Sequence, residues 1–284
     1  MSFALVASAL LGLFVLSQSS GNAERTFYGV IRVTQTNSER LLIHGNTVHG
    51  IQSLDPRYRS QPLSYYGRRG PAGDAFQALQ AEKGFRRVSV VGLGVGSLAA
   101  YDRPGQTFTF YESDPGVVRV ASDPSLFTYL SDARGAVHVV VGDGRFSLQH
   151  SRNGTEDMVV LDAFNSDSIP VHLMTREAFQ LYITKLNRNG VLLVHVTNRY
   201  LDLAPVVGAI ARDLRLHAVT LFHEVDPVRL RIGEQPSQWI ALARNDARLG
   251  GLERRHWSPL RADPGERAWT DDFSNIVSAI KWTS

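Results

Sequence analysis

Short apolar runs alternate with amphipathic segments along the chain after residue 84. Such apolar runs are typical of strands buried on both faces of a parallel sheet, and amphipathic segments are typical of the helices that connect them. The predicted strands are residues 88–91, 107–111, 137–141, 158–161, 191–196, 217–222 and 239–243, and the clearest predicted helices are residues 175–186 and 205–214. The pattern therefore predicts an α/β fold with an open, doubly wound sheet.

A different pattern precedes this alternation. Residues 27–33 and 41–44 are rich in β-forming side chains and are separated by turn formers, which predicts a small antiparallel β unit. Residues 54–73 are rich in Pro, Gly, Tyr and Arg and predict a loop that lies over the main domain. We therefore expect three parts: a hydrophobic N-terminal segment (1–24), the small β unit with its cleft loop (25–69) and a nucleoside-binding catalytic domain (70–284).

The N-terminal segment contains an uncharged apolar run at residues 3–16. This run is shorter than the roughly 20 residues that span a bilayer, and its length suits the core of a signal peptide. However, no Lys or Arg precedes Arg25, so the charged start of a signal peptide is missing. A signal peptide, a membrane anchor or truncated transmembrane helix, and an apolar helix packed on the domain all stay open. The membrane-derived interpretation is favoured, with the protein in the cytoplasm or at the cytoplasmic face of the membrane rather than secreted.

Composition and charge exclude several kinds of chemistry. The chain has no Cys, which excludes disulfides, thiolate metal sites and cysteine nucleophiles. Its formal net charge is +3 and its Arg residues form no run, so nucleic-acid binding is not indicated. His172 and His195 lack the spacing of metal ligands, so no metal site is predicted and His195 is interpreted as a strand residue.

A glycine cluster follows the first strand of the main domain. Gly92, Gly94 and Gly96 are spaced G-x-G-x-G and lead into a short helical segment. Glycines let the backbone turn sharply and approach a ligand closely, and a helix N-terminus presents free N–H groups. Alone, the cluster fits either a tight strand-to-helix turn or a nucleotide-binding loop.

Acidic residues end the next three strands and favour the nucleotide-binding interpretation. Glu112 ends the second strand, Asp143 follows the third and Asp162 follows the fourth. Because ligands of open α/β sheets bind outside the carboxyl ends of the strands, these acids should meet at one edge. Glu112 lies about 20 residues after the glycine loop, as an acid that binds ribose hydroxyls does. Solvated loop acids and helix caps are the alternative.

Four motifs together resemble a known family. They are VVGLGVGS, YESDP, VVVGDGR and LDAFNSDSIPVHLMTREAFQLY, and they are similar to those of the spermidine synthases, the polyamine aminopropyltransferases, in particular bacterial members whose enzyme domain follows a membrane segment. The resemblance covers residues 27–282. It implies a class I methyltransferase-like (Rossmann-like) fold, a homodimer and a role in polyamine biosynthesis. It also implies decarboxylated S-adenosylmethionine as donor and a small, putrescine-like amine as acceptor.

The resemblance also implies roles for individual residues. Gly92, Gly94 and Gly96 would close over the donor, Glu112 would bind its ribose, Asp143 with Gly144 its adenine, and His49 or Gln52 would contact it from the small β unit. Tyr65 and Tyr66 match the family's aromatic cleft segment and would line the pocket, with simple packing as the alternative. Asp162 would face the reacting amine.

The chain departs from the family pattern at two positions. The family's catalytic stretch reads D-S-S-D-P, and here Asn165 stands where the second Asp belongs. An amide cannot act as a general base, so Asp167 is the candidate replacement if the loop shifts its register. The catalytic set is therefore Asp162, Asn165 and Asp167. In the glycine loop, Val95 stands where the family has an Asp that holds the donor's amino group.

Three functional hypotheses follow. The leading one is transfer of an aminopropyl group from a sulfonium nucleoside to an amine, with Asp162 steering and deprotonating the acceptor. Val95 and Asn165 motivate the second, methyl transfer from S-adenosylmethionine, because both lack the acid tied to the usual substrates. The third is a catalytically reduced, nucleoside-binding regulatory domain.

Overall fold

The computed structural model of the chain describes residues 23–45, 47–163 and 170–281. Asn165, Asp167 and most of the hydrophobic N-terminal segment lie outside these ranges. Within them, no helix has the length and apolar character needed to cross a lipid bilayer. Membrane attachment, localisation and the division into domains therefore stay expectations from the sequence.

The small N-terminal β unit is an antiparallel sheet, as predicted. Its strands pair in chain order: β1 (Ala23–Thr26), β2 (Gly29–Gln35), β3 (Glu39–His44) and β4 (Thr47–Ser53). The sequence pattern had indicated only β2 and β3, since β1 is short and polar and β4 contains a glycine. The sheet is tied to the main domain where Thr26 donates a hydrogen bond to Asp114 over 2.7 Å.

The main domain is built on a second sheet, and all seven predicted strands occur in it. They are β5 (Arg87–Val91), β6 (Thr107–Glu112), β7 (Ala136–Val141), β8 (Glu156–Leu161), β9 (Leu186–His195), β10 (His217–His223) and β11 (Ser237–Ala243), with a short edge strand β12 (Ser258–Pro259). Within the described residues the order is β12-β10-β11-β9-β8-β5-β6-β7. From β5 the chain adds β6 and β7 on one side, and it then returns to add β8 and β9 on the other side. The boundary between β5 and β8 is therefore the switch point where ligands of such folds bind.

Four of the seven described helices begin at a capping side chain. The helices are α1 (Pro71–Gln80), α2 (Pro115–Ser122), α3 (Gly144–Gln149), α4 (Arg176–Lys185), α5 (Ala204–Asp213), α6 (Pro227–Arg231) and α7 (Gly250–Glu253), with 3-10 turns at Ser97–Tyr101, Val171–Leu173 and Asp246–Arg248. The side chain of Asp114 caps α2 by accepting a hydrogen bond from the N–H of Gly116. The side chain of Thr175 caps α4 by accepting one from the N–H of Ala178. Such caps satisfy N–H groups that have no partner within the helix.

The sheet is parallel only in part. Strands β7, β6, β5, β8 and β9 run parallel, whereas β11 pairs antiparallel with both β9 and β10. The apolar pattern of β11 predicted its burial but not its direction. Residues 224–236, which precede it, contain only the short helix α6. Antiparallel neighbours need no crossover helix, so this short connection is sufficient.

The core lies on both faces of the second sheet. Alternate residues of a strand face opposite sides, so Val90 and Val160 pack under α1 and the N-terminal sheet, while Val91 and Leu161 pack under α4 and α5. All four side chains are at most 3% exposed. Because both faces of the sheet are packed, the carboxyl ends of β5 and β8 are held in fixed positions. The candidate site lies at these ends.

Candidate active site

The glycine loop after β5 is pressed against two other segments. Gly92, Gly94 and Gly96 have positive φ angles of 100°, 53° and 80°, which favour glycine. A Cβ atom on Gly92 would lie 2.2 Å from the carbonyl oxygen of Asp162, and one on Gly94 would lie 2.5 Å from that of His49. The loop therefore requires glycine both for its conformation and for its close approach to β8 and β4.

Val95 points away from solvent and into the core. Its side chain is 1% exposed, and a Cβ atom on Gly50 of β4 would lie 2.3 Å from its Cγ2. The side chain at the position of the family's donor-binding Asp thus packs against the N-terminal sheet. Of the described side chains in the glycine loop, none is a carboxylate.

Glu112 binds the backbone of the glycine loop. Its Oε2 accepts from the N–H of Leu93 over 3.0 Å, and its Oε1 accepts from the N–H of Asp114 over 2.9 Å. Burial raises the pKa of Glu112 above its ordinary value, and these two N–H groups oppose that rise. The hydroxyl of Ser113 also donates to Oε1 over 3.4 Å, so Oε2 keeps the lone pair that could accept from a ligand hydroxyl. Glu112 is thus placed to join the glycine loop to a bound diol.

Asp143 caps a helix and pairs with a histidine. Its Oδ1 accepts from the N–H of Phe146 over 2.8 Å, and its Oδ2 lies 2.8 Å from Nε2 of His172. The next residue, Gly144, packs so tightly against β5 that a Cβ atom on it would lie 2.4 Å from Cγ1 of Val91. The cap and the hydrogen bond with His172 give Asp143 a structural role, and its contact with adenine stays a prediction.

His49 and Gln52 lie on β4 but in different surroundings. His49 is half-buried, and its carbonyl group faces the glycine loop at Gly94. Gln52 is 3% exposed, and its amide N–H groups donate to the carbonyl of Arg59 and the hydroxyl of Thr128 over 3.1 and 2.9 Å. Gln52 therefore ties β4 to the loop around Thr128. The geometry favours His49 over Gln52 for the predicted donor contact.

The cleft loop is held over the sheet at Ser64. The N–H of Ser64 donates to the carbonyl of Gly233 over 2.7 Å, and the N–H of Gln235 donates back to Ser64 over 2.9 Å. Ser64 has a φ of 57°, an unusual backbone conformation for a residue other than glycine. This anchored turn sets the positions of Tyr65 and Tyr66, which follow it directly.

Asp162 holds two side chains from distant parts of the chain. The hydroxyl of Tyr66 donates to its Oδ2 over 2.8 Å, and Nδ1 of His195 lies 2.7 Å from its Oδ1. Burial and the neighbouring Asp162 raise the pKa of Tyr66 well above its ordinary value, so the phenol stays a hydrogen-bond donor. Side chains from the cleft loop and from β9 therefore bind the same carboxylate, which follows β8.

His195 is enclosed by aromatic rings. It stacks on Trp239 of β11 with ring centroids 4.4 Å apart and an angle of 16°, and Tyr65 lies 5.1 Å away. Its Nε2 lies 2.7 Å from the hydroxyl of Thr197, which accepts from the backbone N–H of Gln238 over 2.8 Å. The ring is held at both nitrogen atoms and on its face.

The C-terminal segment forms a cavity beside His172. This cavity of about 420 Å³ is lined by Arg145, Val171, His172, Thr175, Thr270, Asp271, Asp272, Phe273 and Ser274. Arg145 donates to both carboxylate oxygens of Asp271 over 2.7 Å and holds the pKa of that carboxyl at about 2. Asp271 therefore joins the C-terminal segment to α3.

The structure brings together only part of the predicted set. Asp162 lies against Gly92 and binds Tyr66, and His49 lies against Gly94. Among the described residues there is no group of three metal-binding side chains. His195 belongs to the site through its bond to Asp162, although the sequence pattern indicated only a strand residue at this position. The signal that selected Glu112, a polar residue at the end of an apolar strand, is also present at His195.

Part of the sequence is similar to a curated aminopropyltransferase. A polyamine aminopropyltransferase of Vibrio vulnificus (strain CMCP6) is 33% identical to the chain over 114 residues. This match covers 38% of the chain and 37% of that protein, so the chain spans little more than a third of this curated relative. No protein-family model matches the chain.

Solved structures give a likeness over nearly the whole chain. A probable spermidine synthase from Corynebacterium glutamicum ATCC 13032 has a TM-score of 0.66 at 17% identity, over 91% of this chain and 99% of that one. This is the spermidine synthase fold. The Thermotoga maritima spermidine synthase, and a spermidine synthase in complex with the transition-state analogue AdoDATO, each have a TM-score of 0.53 at 12% identity, over 92% of this chain and 84% of theirs.

The comparisons confirm the predicted fold class and leave finer predictions open. The chain is spermidine synthase-like in fold and in part of its sequence. None of these likenesses supports the prediction of a membrane-segment-fused member. The homodimer also stays a prediction.

Proposed function

We propose that the chain is a member of the polyamine aminopropyltransferase family that transfers an aminopropyl group from decarboxylated S-adenosylmethionine to a small, putrescine-like amine. One observation carries the proposal. Asp162 follows β8 at the switch point of the sheet, with its backbone carbonyl packed against Gly92 of the glycine loop and its carboxylate held by Tyr66 and His195. A nucleoside held by the loop and Glu112 would present its sulfonium side to that carboxylate. The partial match to an aminopropyltransferase gives independent support.

The reaction is a direct displacement. The lone pair of the acceptor amine attacks the carbon next to the sulfonium sulfur, and the carbon–sulfur bond breaks. Its electrons pass to sulfur, which leaves as the neutral thioether methylthioadenosine. Before it attacks, the entering ammonium gives one proton to a base, and the secondary amine that forms leaves as its ammonium. A free amine has a pKa near 10.4 and is mostly protonated at neutral pH, so a carboxylate that binds it and accepts its proton accelerates attack by about 10²–10⁴.

The residues divide between the two substrates. Gly92, Gly94, Gly96 and Glu112 would hold the nucleoside, with Asp143, Gly144 and His49 completing the donor side. Tyr65 and Tyr66 would line the acceptor side, and Asp162 would steer the amine and take its proton. Asn165 and Asp167 belong to the proposal through the resemblance alone. Orientation of the two substrates supplies most of the expected acceleration.

The test is a product assay with both substrates. The purified chain is incubated with decarboxylated S-adenosylmethionine, with and without putrescine, and methylthioadenosine is measured by chromatography. We expect release that depends on putrescine and is matched one to one by an aminopropylated amine. Absence of product above background, with nucleoside binding shown by calorimetry, would overturn the proposal.

Methyl transfer from S-adenosylmethionine is the second candidate. The observation that favours it is the burial of Val95 against Gly50, because the glycine loop then offers no carboxylate to the donor's amino group. The same incubation with S-adenosylmethionine distinguishes the two, since methyl transfer releases S-adenosylhomocysteine in place of methylthioadenosine. Binding of either nucleoside without turnover would instead support the regulatory hypothesis.

A further inference from the structure

We propose that the C-terminal segment (residues 270–274) positions Asp143 to select a purine that carries an amino group. The segment acts through two side chains in turn, Arg145 and His172. Arg145, His172 and Asp271 are thus positioning residues, which act through Asp143 and touch no substrate. The inference rests on the proposed function, because Asp143 completes the nucleoside side of the site there, and it names what Asp143 reads on the nucleobase.

The carboxylate of Asp143 is held at both oxygen atoms. Its Oδ1 accepts from the N–H of Phe146 over 2.8 Å, and its Oδ2 lies 2.8 Å from Nε2 of His172. His172 is the donor in this second bond, since an ionised carboxylate only accepts. Oδ2 keeps a second lone pair, and the side chain is 44% exposed beyond the carboxyl end of β7. A ligand at this edge therefore meets an accepting atom that is held in a fixed direction.

The backbone of His172 is held by Arg145. Nη1 of Arg145 donates to the carbonyl of His172 over 2.9 Å, within the 3-10 turn Val171–Leu173. The imidazole itself is 52% exposed, so packing restrains it little. Leu173 buries the end of the turn, and Arg145 holds its middle. The hydrogen bond from His172 to Asp143 consequently depends on where Arg145 lies.

Asp271 of the C-terminal segment fixes the guanidinium of Arg145. The two side chains make a pair of hydrogen bonds of 2.7 Å each, a two-point geometry that sets the direction of a guanidinium. Arg145 holds the pKa of Asp271 at about 2, so the carboxylate is ionised at neutral pH. The hydroxyl of Thr175 also donates to Asp271 over 2.7 Å, and the N–H of Asp271 donates to Glu177 over 3.0 Å. The N-terminus of α4 therefore anchors Asp271, and Asp271 anchors Arg145.

Open space adjoins these contacts. Arg145, His172 and Asp271 all line the cavity of about 420 Å³ beside the C-terminal segment. Since this cavity is open space among the described residues, a side chain that loses its partner here has room to turn away. The direction of the Asp143 carboxylate is thus set by a chain of hydrogen bonds rather than by close packing.

The chemistry of this arrangement favours adenine. The amino group of adenine donates hydrogen bonds, whereas hypoxanthine has a carbonyl oxygen, an acceptor, at the same position. A carboxylate held by two donors meets that carbonyl as a second acceptor, so neither group gains a partner. A site built to hydrogen-bond one polar group rejects an analogue that lacks it more strongly than a site that only fits its shape. We therefore expect the fixed carboxylate to discriminate between these two purines.

The test compares two nucleosides with an amino group or a carbonyl group at this position. Calorimetry of the whole chain is carried out with methylthioadenosine and with methylthioinosine. For the wild type we expect methylthioadenosine to bind about 30- to 100-fold more tightly. Asp143→Asn should reduce this preference to about threefold or less, because an amide donates to a carbonyl group as readily as it accepts from an amino group.

The positioning residues are tested by their effect on the same ratio of affinities. Asp271→Asn and His172→Phe should each reduce the preference about 5- to 10-fold, with the affinity for methylthioinosine unchanged within about twofold. A purely structural role would weaken the binding of both nucleosides alike. Asp272→Asn, the matched control, removes the adjacent acid, which lines the same cavity but does not pair with Arg145, and it should keep the wild-type ratio.

The outcomes separate the positioning role from the proposed function. An unchanged ratio, or an equal loss for both nucleosides, in Asp271→Asn and His172→Phe would overturn the positioning role. A wild type that binds the two nucleosides equally would overturn selection by Asp143, and the product assay with putrescine would still decide the proposed function. If the ratio changes as expected but the wild type releases no methylthioadenosine from the decarboxylated nucleoside, the proposed function fails and the positioning role stands.

Discussion

The candidate site has a proposed donor end and a proposed acceptor end, and the two are built in different ways. The donor end is mostly backbone: three glycines with positive φ, and the N–H of Leu93 bound to Glu112. The acceptor end is mostly side chain, with Asp162 binding Tyr66 and His195. The donor residues follow one another within a single strand-turn-strand unit, whereas Tyr66 and Asp162 are 96 residues apart in sequence.

This difference explains how each end tolerates change. A backbone loop in contact with neighbouring strands leaves no room for even a methyl group, so its composition is severely restricted. A network of buried side chains can exchange one donor for another provided every polar atom keeps a partner. We therefore expect the donor end to preserve nucleoside binding across related sequences, and the acceptor end to determine which amine reacts and how its proton leaves.

The largest effect is expected at the acceptor end. Asp162→Asn should lower kcat about 10²–10⁴-fold, because an amide cannot take the amine's proton. Nucleoside affinity should change little, since the donor contacts are made by other residues. Steady-state release of methylthioadenosine measures the first quantity and calorimetry the second. Asp132→Asn, at an exposed position, is the control. Equal losses of both quantities would mean that the two ends are not separable.

The next effect tests the interpretation of Val95. Val95→Asp restores the family's residue but places a carboxylate in the core against Gly50. An unpaired buried charge is expected to lower the free energy of unfolding by about 3–5 kcal/mol, as measured by denaturant unfolding. Val228→Asp, at a position that is 67% exposed, should cost far less. A stable Val95→Asp protein with tighter donor binding would contradict the buried position of this side chain.

A pair of glycines isolates the steric restriction of the donor loop. Gly92 and Gly84 have similar φ angles of 100° and 94°, but an added Cβ atom meets the Asp162 carbonyl at Gly92 and nothing within 4 Å at Gly84. In both alanine variants, the strain of a positive φ should lower the free energy of unfolding by about 1 kcal/mol. Gly92→Ala should lose about 2 kcal/mol more, visible in thermal unfolding, and should bind nucleoside more weakly. Equal stabilities would mean that Gly92 is not packed against the carbonyl group of Asp162.

The smallest effects are expected at Glu112. Its substitution should weaken nucleoside binding but raise stability relative to the wild type as the pH rises. Glu112→Gln should weaken nucleoside binding about tenfold, through the loss of charge-assisted hydrogen bonds to the ribose. Because burial raises the pKa of Glu112, the unfolded chain releases its proton at lower pH than the folded protein does. Stability therefore falls as the pH rises between those two pKa values, and stays lower above them.

The pH dependence can be measured directly. Denaturant unfolding of the wild type and of Glu112→Gln from pH 4 to pH 8 should show the variant gaining relative stability as the pH rises. Glu224→Gln, at an exposed position, should follow the wild type. A constant difference across this range would mean that the carboxylate is not buried.

The sequence alone predicted the local features of the proposed donor end, because their signals lie close together in the chain, and their role in donor binding stays a prediction. The glycine spacing, the acid at the end of β6 and the apolar strands can all be read within the β5–β6 strand-turn-strand unit, and the structure contains each of them. The antiparallel direction of β11 and the extra strand β4 could not be read, since neighbouring residues carry no information about strand pairing. The same limit applies to Gln52, whose amide is occupied by Thr128 of another loop.

The acceptor end depended on contacts between distant segments. His195 was interpreted as a strand residue, which is correct for its backbone, but its imidazole meets Asp162 only because β8 and β9 are neighbours. Trp239 joins them because β11 lies beside β9. A periodic pattern predicts which residues are buried, whereas it does not predict which buried polar groups become partners.

The most direct test of this account is a crystal structure of the chain with methylthioadenosine and putrescine. The account predicts the nucleoside over the glycine loop with its ribose hydroxyls on Glu112. It predicts an amine nitrogen within about 2.6–3.2 Å of the Asp162 carboxylate, on the side facing the sulfur. A nucleoside bound away from Glu112, or an amine held at another acid with Asp162 engaged only by Tyr66 and His195, would contradict it.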